Sequence, residues 1–435
     1  MKINFYKWNE TSIELKEKIF KRSESDITQD LEAVKRILEE VKTGGDRALK
    51  QLTLKFDKCD LSKLSLKVDA SEFKEAEKKL SRELKTAIRR AIRNVKRFHS
   101  SQRPETINQI EVEPGIFAGE RYTPISSVGL YVPRGRGSFP SMLIMAALPA
   151  VIAGVETIAV VTPPDEEGRI DEATLYAAKE CGVTDIYRVG GAQAIAALAY
   201  GTETIPKVVK ILGPGSKYVA AAKRLLYGTV DTGLPAGPSE SIILADSTAD
   251  PYRVALDLII EAEHGADSSA ILVTPETFVA EKVKEILPNL TEELEQPRKT
   301  FVESVLSNYG GIILTEDMQS AVEFVNEFAP EHLQIASSEP HQLLNMIENA
   351  GEILLGQNTP FTLANYATGP NAILPTGGHA KTYSPLSVYD FMKFSSVVYI
   401  TREASAKLAR DVVKLADYEG FQAHAMALRK RYRLK

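Results

Sequence analysis

Three of the six histidines in this sequence lie in segments whose residue types could support chemistry. His332 directly follows Glu331, and Pro330 before them predicts the end of a helix. An imidazole with a pKa of about 6.5 can accept a proton from an alcohol near neutral pH, and a neighbouring carboxylate can orient it or activate water. The pair therefore fits acid–base catalysis, although a solvent-exposed Glu-His dipeptide, the commoner case, would have the same sequence.

Glu261 and His264 lie three residues apart in an apolar segment that ends at Gly265, which suits a helix C-terminal cap. This spacing puts both side chains on one helix face, where a carboxylate and an imidazole can bind one divalent cation such as zinc or manganese. A solvated last helical turn would have the same pattern. His424 lies in a basic C-terminal segment and gains significance only from its neighbours, because a single helical histidine is more often a surface or capping residue.

Three glycine-rich turns each follow or open a predicted α/β element, at 129–137, 189–194 and 212–216. Glycines before a helix can let the backbone approach a pyrophosphate closely. None of the turns has the Gly-x-Gly-x-x-Gly pattern of dinucleotide-binding proteins, so tight structural turns are an equally good interpretation.

The elements that must position these residues change in character along the chain. Residues 30–104 have apolar side chains at helical spacing, which predicts amphipathic helices. After Gly129, short β-rich runs alternate with helical stretches, which predicts mainly parallel sheets in a doubly wound α/β architecture. The turn-rich segment 236–239 separates two such blocks, and helical periodicity returns from about Ser387.

The amino-acid composition limits which partners and which class of protein the sequence can represent. The 435 residues have a formal net charge of -5 and no long run of Lys and Arg, which argues against nucleic acid and anionic lipid as partners. Cys59 and Cys181 are too few for a disulfide scaffold, and we interpret them as structural thiols. The apolar run at 142–155 is shorter than the ~20 residues of a membrane-spanning helix, and the N-terminal residues lack a signal-peptide pattern. We expect a cytoplasmic protein with a small-molecule substrate.

Six motifs resemble the histidinol dehydrogenase family in order and spacing, over nearly the whole chain. They are Gly129-Leu-Tyr-Val-Pro, Gly190-Gly-Ala-Gln-Ala-Ile-Ala-Ala, Pro235-Ala-Gly-Pro-Ser-Glu, Ala262-Glu-His, Pro330-Glu-His-Leu and Ala423-His-Ala. The resemblance implies an NAD-dependent oxidoreductase that converts L-histidinol through the aldehyde to L-histidine, in histidine biosynthesis, with a bound zinc. It also implies two Rossmann-like doubly wound domains with small N-terminal and C-terminal helical extensions, in an intertwined homodimer.

The resemblance assigns a role to each motif. It implies that His332 is the catalytic base with Glu331 as its acid–base partner, and that Ser239 and Glu419 contact the substrate. The residues implied to lie against NAD are Tyr131, Gln193 and Ser216. The residues implied to surround the metal are Glu261, His264, Asn365 and His424. The resemblance implies that these four residues, together with His332, also surround the substrate. Glu419 and His424 would act across the dimer interface.

The domain limits implied are an N-terminal extension at 1–24 and a catalytic α/β domain formed by 25–130 and 239–386. The NAD-binding domain would comprise 131–238. The C-terminal helical segment at 387–435 would complete the site of the partner subunit.

The sequence departs from the family pattern at four positions. Glu261 replaces the usual Gln and Asn365 the usual Asp, so the two changes cancel in charge, and we expect the metal, zinc or manganese, to be retained. Ser216 replaces an Asn beside the cofactor. Ala372 replaces a substrate-contacting His, and a methyl group cannot form that hydrogen bond.

Three hypotheses therefore stand: a histidinol dehydrogenase, a paralogue that oxidises another small polar alcohol such as sulfopropanediol, and a non-catalytic homologue. The adjacent Glu331 and His332 argue against the third. His379 lies near Ala372 in the sequence and could supply the missing imidazole.

Overall fold

A computed structural model describes residues 1–22, 30–134 and 137–434 of the chain. The helices are α1 (Ile13–Lys21), α2 (Leu31–Asp57), α3 (Ala70–Lys79), α4 (Arg82–Ser100), α5 (Pro140–Ala153), α6 (Glu172–Cys181), α7 (Gly191–Tyr200), α8 (Lys217–Leu226), α9 (Pro251–Ala262), α10 (Thr277–Glu292), α11 (Arg298–Ser307), α12 (Met318–Phe328), α13 (Pro340–Leu344), α14 (Phe361–Tyr366), α15 (Arg402–Tyr418) and α16 (Gln422–Tyr432). The strands are β1 (Phe5–Lys7), β2 (Ile107–Glu113), β3 (Ile116–Pro124), β4 (Ser127–Tyr131), β5 (Thr157–Thr162), β6 (Ile186–Arg188), β7 (Lys210–Leu212), β8 (Glu240–Ala245), β9 (Ser269–Thr274), β10 (Gly311–Leu314), β11 (His332–Ala336), β12 (Glu352–Leu355) and β13 (Met392–Ile400).

The chain forms two compact units. The larger comprises Met1–Gln102 and Ser126–Phe391, and the smaller comprises Arg103–Ile125 and Met392–Lys435. The larger unit has two parallel sheets with many helices, so the expected α/β class is confirmed.

The six-stranded sheet of the larger unit has the order β1-β10-β9-β8-β11-β12, and every neighbouring pair is parallel. All six residues of β8 and all six of β9 are buried. This is expected for parallel strands covered on both faces, whose sequences are mostly apolar. The strand order reverses between β8 and β11, which start at Glu240 and His332. These two strand ends position the candidate site described below.

The four-stranded sheet has the order β6-β5-β4-β7, also parallel throughout. Its first strand, β4, begins at Ser127, four residues before the predicted start of the NAD-binding domain at 131. The buried apolar face of α2 packs, together with α7 and α8, in the hydrophobic core that covers this sheet. Residues 31–57 thus cover the four-stranded sheet, although the predicted limits grouped them with 239–386. The functional division of the chain into domains stays a prediction.

The smaller unit contains the three-stranded antiparallel sheet β13-β3-β2 and helices α15 and α16, which pack through Val413, Ala416 and Ala425. We predicted only helix after residue 387, and this was wrong for β13, whose aromatic and β-branched residues favour a strand. The N-terminal extension, predicted as helical, likewise begins with β1 before α1.

Two further expectations concern single segments. The apolar run at 142–155 forms most of α5, which is buried, and none of the described helices combines the length and the apolar character needed to cross a membrane. Cys59 and Cys181 are free and buried, as expected for structural thiols.

Candidate active site

Glu331 and His332 lie at the junction of α12 and β11. Helix α12 ends at Ala329 in the left-handed region (φ 49°), and Pro330 then leads the chain into the sheet at His332. The predicted element boundary is therefore confirmed. Both side chains are buried, with 11% of the Glu331 and 4% of the His332 side chain exposed. The surface-dipeptide interpretation is excluded.

The His332 imidazole lies between two carboxylates. Its Nδ1 is 3.0 Å from Oε2 of Glu352, and its Nε2 is 3.9 Å from Oε1 of Glu331. Glu352 opens β12 directly opposite His332 in the parallel register. Sequence reasoning missed Glu352, because only the pairing of β11 with β12 brings positions twenty residues apart side by side.

The Glu331 carboxylate is held by the backbone of β8. Its Oε2 accepts a hydrogen bond of 2.9 Å from the Glu240 N–H. The Glu240 side chain forms a buried ion pair with Arg22 at 3.0 Å and accepts the Gly377 N–H at 2.9 Å. Glu240 lies in the Pro-Ala-Gly-Pro-Ser-Glu motif, which was the only signal for it in the sequence.

Glu261, His264 and Asn365 form a second group of polar side chains. Glu261, on α9, is 1% exposed; its Oε2 lies 3.2 Å from His264 Nδ1, and its Oε1 accepts a hydrogen bond of 2.7 Å from Asn365 Nδ2, on α14. Helix α9 ends at Ala262, so His264 lies in the turn after the helix and still reaches Glu261. The Asn365 Oδ1 is buried without a hydrogen-bond partner.

This group has fewer metal-binding side chains than predicted. Across the described residues no three or more His, Cys, Asp or Glu side chains cluster where a metal ion could bind, because the third member here, Asn365, is an amide. His424 and Glu419 are exposed residues of the smaller unit, on α16 and just after α15. The four-residue ligand set therefore stays a prediction.

One cavity of about 380 Å³ brings the two groups together. Its lining includes Ser239, Glu261, His264, Glu331, His332, Asn365, Ala372 and Arg298. Six predicted site residues from separate segments of the chain therefore face one space. The volume lies within the range typical of small-molecule sites.

Ala372 contributes a methyl group to this cavity, on a segment fixed by Asn371. The buried Asn371 side chain donates to the Met145 carbonyl at 2.7 Å and accepts the Ile373 N–H at 2.9 Å. His379 lines a different cavity of about 560 Å³, with its ring against Tyr383. His379 therefore does not replace the missing imidazole at Ala372, contrary to the possibility considered above.

The predicted cofactor residues lie at or after the carboxyl ends of three strands of the four-stranded sheet, β4, β6 and β7. Tyr131 ends β4, Gln193 lies in the first turn of α7 after β6, and Ser216 caps α8 after β7. Tyr131 and Gln193 are buried, and the Tyr131 hydroxyl accepts the Gly191 N–H at 3.1 Å. Ligands of open parallel sheets bind at the carboxyl ends of strands where the order reverses, which here lies between β4 and β7.

The close approach of the backbone after β7 to the Tyr131 carbonyl requires a glycine at position 213. Gly213 follows β7 with φ 109°, a conformation that other residues rarely adopt, and a Cβ there would clash with the Tyr131 carbonyl. The turn at 212–216 thus has a structural reason for its glycine.

Burial and neighbouring carboxylates set the electrostatics of Glu331 and His332. Burial lowers the pKa of His332, but Glu261, Glu352 and Glu331 outweigh it and raise that pKa to about 9. Burial raises the pKa of Glu331 to about 8, because it outweighs the opposing effect of His332. The neighbouring carboxylates therefore stabilise the protonated imidazole of His332, whereas burial disfavours the ionised form of Glu331.

The chain is similar to known proteins over nearly its whole length. A family model described as histidinol dehydrogenase matches residues 20–432. A histidinol dehydrogenase from Synechocystis sp. is 51% identical over 414 residues, 95% of each chain. A histidinol dehydrogenase homolog from Rhizobium meliloti is 49% identical and covers 98% of this chain and 94% of its own. The crystal structure of histidinol dehydrogenase from Elizabethkingia anophelis matches with a TM-score of 0.93 and 34% identity, over 99% of this chain and 98% of that one.

Proposed function

Because the chain belongs to the histidinol dehydrogenase family, we propose that it is an NAD-dependent and metal-dependent dehydrogenase that oxidises L-histidinol through the aldehyde to L-histidine. In the cell it would act in the cytoplasm in the last steps of histidine biosynthesis. The observation that carries the proposal is the meeting of Glu331 and His332 with Glu261, His264 and Asn365 in one cavity.

His332 supplies the base in its neutral form, whose fraction increases as pH rises toward the raised pKa of about 9. Its Nε2 accepts the alcohol proton, and NAD, when bound, would take the carbon-bound hydrogen as hydride, which would yield the aldehyde. Glu331, beside the same imidazole, activates in its ionised form the water that adds to the aldehyde. A second hydride transfer then gives the carboxylate, so each substrate molecule reduces two NAD.

The residues present fit a divalent cation. Glu261 is a buried carboxylate whose ion-pair partner, within the part of the chain that the structure describes, is His264 rather than a lysine or arginine. The unpartnered Asn365 Oδ1 adds an oxygen donor beside it. We propose zinc, with manganese as the second candidate, bound by these three residues and His424. Bound there, the cation would polarise the substrate oxygen and favour loss of its proton.

For the cofactor we propose the edge of the four-stranded sheet at Tyr131, Gln193 and Ser216, in a Rossmann-like NAD-binding domain. The positions after β4, β6 and β7 support this placement, since they cluster at the carboxyl ends of parallel strands. Ser239 would contact the substrate, because it lines the cavity between the two groups of polar residues.

We further propose an intertwined homodimer in which Glu419 and His424 enter the partner's site. The smaller unit exposes many apolar side chains on its sheet, which supports a buried interface there. They are Ile107, Ile110, Val112, Phe394, Val398 and Tyr399. Glu419 and His424 are themselves exposed in the single chain, as such a role requires.

Ala372 supports a second candidate function. Its methyl group lines the cavity where the family pattern has a substrate-binding imidazole, so the protein could oxidise another small polar alcohol, such as sulfopropanediol, by the same chemistry.

Initial rates of NADH formation decide between the two substrates. Purified protein loaded with zinc would be assayed with L-histidinol and with sulfopropanediol over matched concentrations. A higher kcat/KM for L-histidinol supports the first function, and the reverse order supports the second. Absence of NADH with either alcohol, in the presence of zinc or manganese, would contradict both.

A further inference from the structure

The two nitrogens of the His332 imidazole have different surroundings. Nδ1 lies 3.0 Å from Glu352 Oε2, within hydrogen-bond distance, whereas Nε2 lies 3.9 Å from the nearest Glu331 oxygen, beyond it. The Glu352 side chain is 8% exposed and the His332 side chain 4%. The contact at Nδ1 is therefore a buried hydrogen bond that water does not replace.

A carboxylate can only accept this hydrogen bond, so Nδ1 carries the proton in the neutral ring. The lone pair of the neutral imidazole then lies on Nε2, the nitrogen nearer to Glu331. The ring of Phe361 meets the imidazole edge-on at a centroid distance of 5.8 Å and limits its rotation.

The backbone fixes both partners of this contact. His332 and Glu352 are each the first residue of their strand, and the parallel register places them opposite one another. Side chains on adjoining strands are held more tightly than side chains on loops, so the distance between the two is part of the sheet geometry.

We propose that Glu352 is a positioning residue, which fixes the tautomer and orientation of His332 so that Nε2 is free to accept the alcohol proton. The inference rests on the proposed dehydrogenase function. During the reaction the alcohol O–H bond breaks and a bond from the proton to Nε2 forms, while hydride goes to NAD. The Glu352 carboxylate then lies beside the imidazolium and stabilises its charge.

Kinetics of two variants test this role in the zinc-loaded protein. Glu352→Met keeps the side-chain length but removes the acceptor, and we expect kcat to fall by about 10–100-fold with KM for the alcohol nearly unchanged. Glu352→Gln keeps a neutral acceptor, and we expect a smaller loss of kcat. Glu348→Gln, at an exposed position in the same segment, should equal the wild type. A wild-type kcat in Glu352→Met would overturn the proposal.

Nitrogen NMR of histidine-labelled protein tests the same role without turnover. The His332 signals are identified by their loss in His332→Ala, and the tautomer is observed at a pH above the pKa of the imidazole. We expect a proton on Nδ1 in the wild type and in Glu352→Gln, and loss of that preference in Glu352→Met. A wild type with its proton on Nε2 would overturn the proposal even if Glu352→Met failed to fold. Because this readout needs no substrate, it separates failure of the positioning role from failure of the proposed function.

Discussion

The chemistry at His332 depends on side chains that come from four separate segments of the chain. Residue types and spacing were enough to predict Glu331, His332, Glu261 and His264 as candidates, because each pair is local in sequence. The groups that hold the pair in place arise from long-range contacts: the Glu352 carboxylate lies beside His332 through strand register, and the Glu240 backbone N–H donates to the Glu331 carboxylate.

Replacing the base should remove turnover while leaving the fold intact. We expect His332→Ala to lower kcat by about 100-fold or more, since no other described imidazole lines the cavity except His264, which belongs to the proposed metal group. His341→Ala, at an exposed histidine of α13, is the matched control and should be fully active. Equal rates for the two variants, measured as NADH formation, would exclude His332 as the base.

The unpartnered oxygen of Asn365 gives a prediction about metal binding. Asn365→Ala removes an oxygen donor and also the hydrogen bond to Glu261, so zinc affinity should fall by about 10–100-fold. Competition with a metal-sensing dye measures this without turnover. Asn358→Ala, which removes a hydrogen bond to Arg253 on the exposed surface, should keep wild-type affinity. Unchanged zinc affinity in Asn365→Ala would rule out a role for this side chain in the site.

At the scale of elements, periodicity and alternation predicted the helices of the N-terminal region and the parallel sheets, since both patterns are set by local burial. Which sheet α2 would cover could not be predicted, because its apolar face fits either core until the tertiary contacts form. Strand β13 was missed for a related reason: it belongs to an antiparallel sheet with an exposed face, so burial leaves a weak pattern in its sequence.

The C-terminal end of α2 contains a poorly solvated carboxylate. Burial raises the pKa of Asp57 from 3.8 to about 6, and its Oδ2 is buried without a hydrogen-bond partner. The negative charge also lies at the unfavourable end of the helix dipole.

Replacing Asp57 should therefore increase stability in a pH-dependent way. Because the folded-state pKa is the higher one, the charged form is disfavoured in the folded protein, and stability decreases as pH rises from about 4 to about 6. Asp57→Asn should raise the free energy of unfolding by about 1–2 kcal/mol near neutral pH, and by progressively less toward pH 4. Denaturant titrations at several pH values measure the difference. Asp411→Asn, at an exposed surface pair, should show no such trend, and a parallel trend in both variants would refute the assignment to Asp57.

At the scale of the whole molecule, the family model matches residues 20–432, and the proposed site includes Glu419 and His424 from the smaller unit. Neither their spacing nor the sheet topology of the larger unit predicts where they act. Their proposed role depends on the association of two chains, which no local pattern in one sequence encodes.

Mixed dimers test whether these residues act on the partner. If His424 serves the neighbouring site, co-expression of His332→Ala with His424→Ala creates one intact site in each mixed dimer, so about a quarter of wild-type activity returns under random pairing. Co-expression of His332→Ala with Glu331→Ala, both in the larger unit, should restore nothing. Equal lack of activity in both mixtures would show that His424 does not complete a partner's site.

The central claim is that this cavity carries a substrate from alcohol to carboxylate by two hydride transfers. The most direct test is the amount of NADH formed per molecule of L-histidinol consumed by the zinc-loaded protein, with the product identified by chromatography. The account predicts two NADH and one L-histidine for each L-histidinol. A single NADH with accumulation of the aldehyde, or no NADH at all, would contradict it.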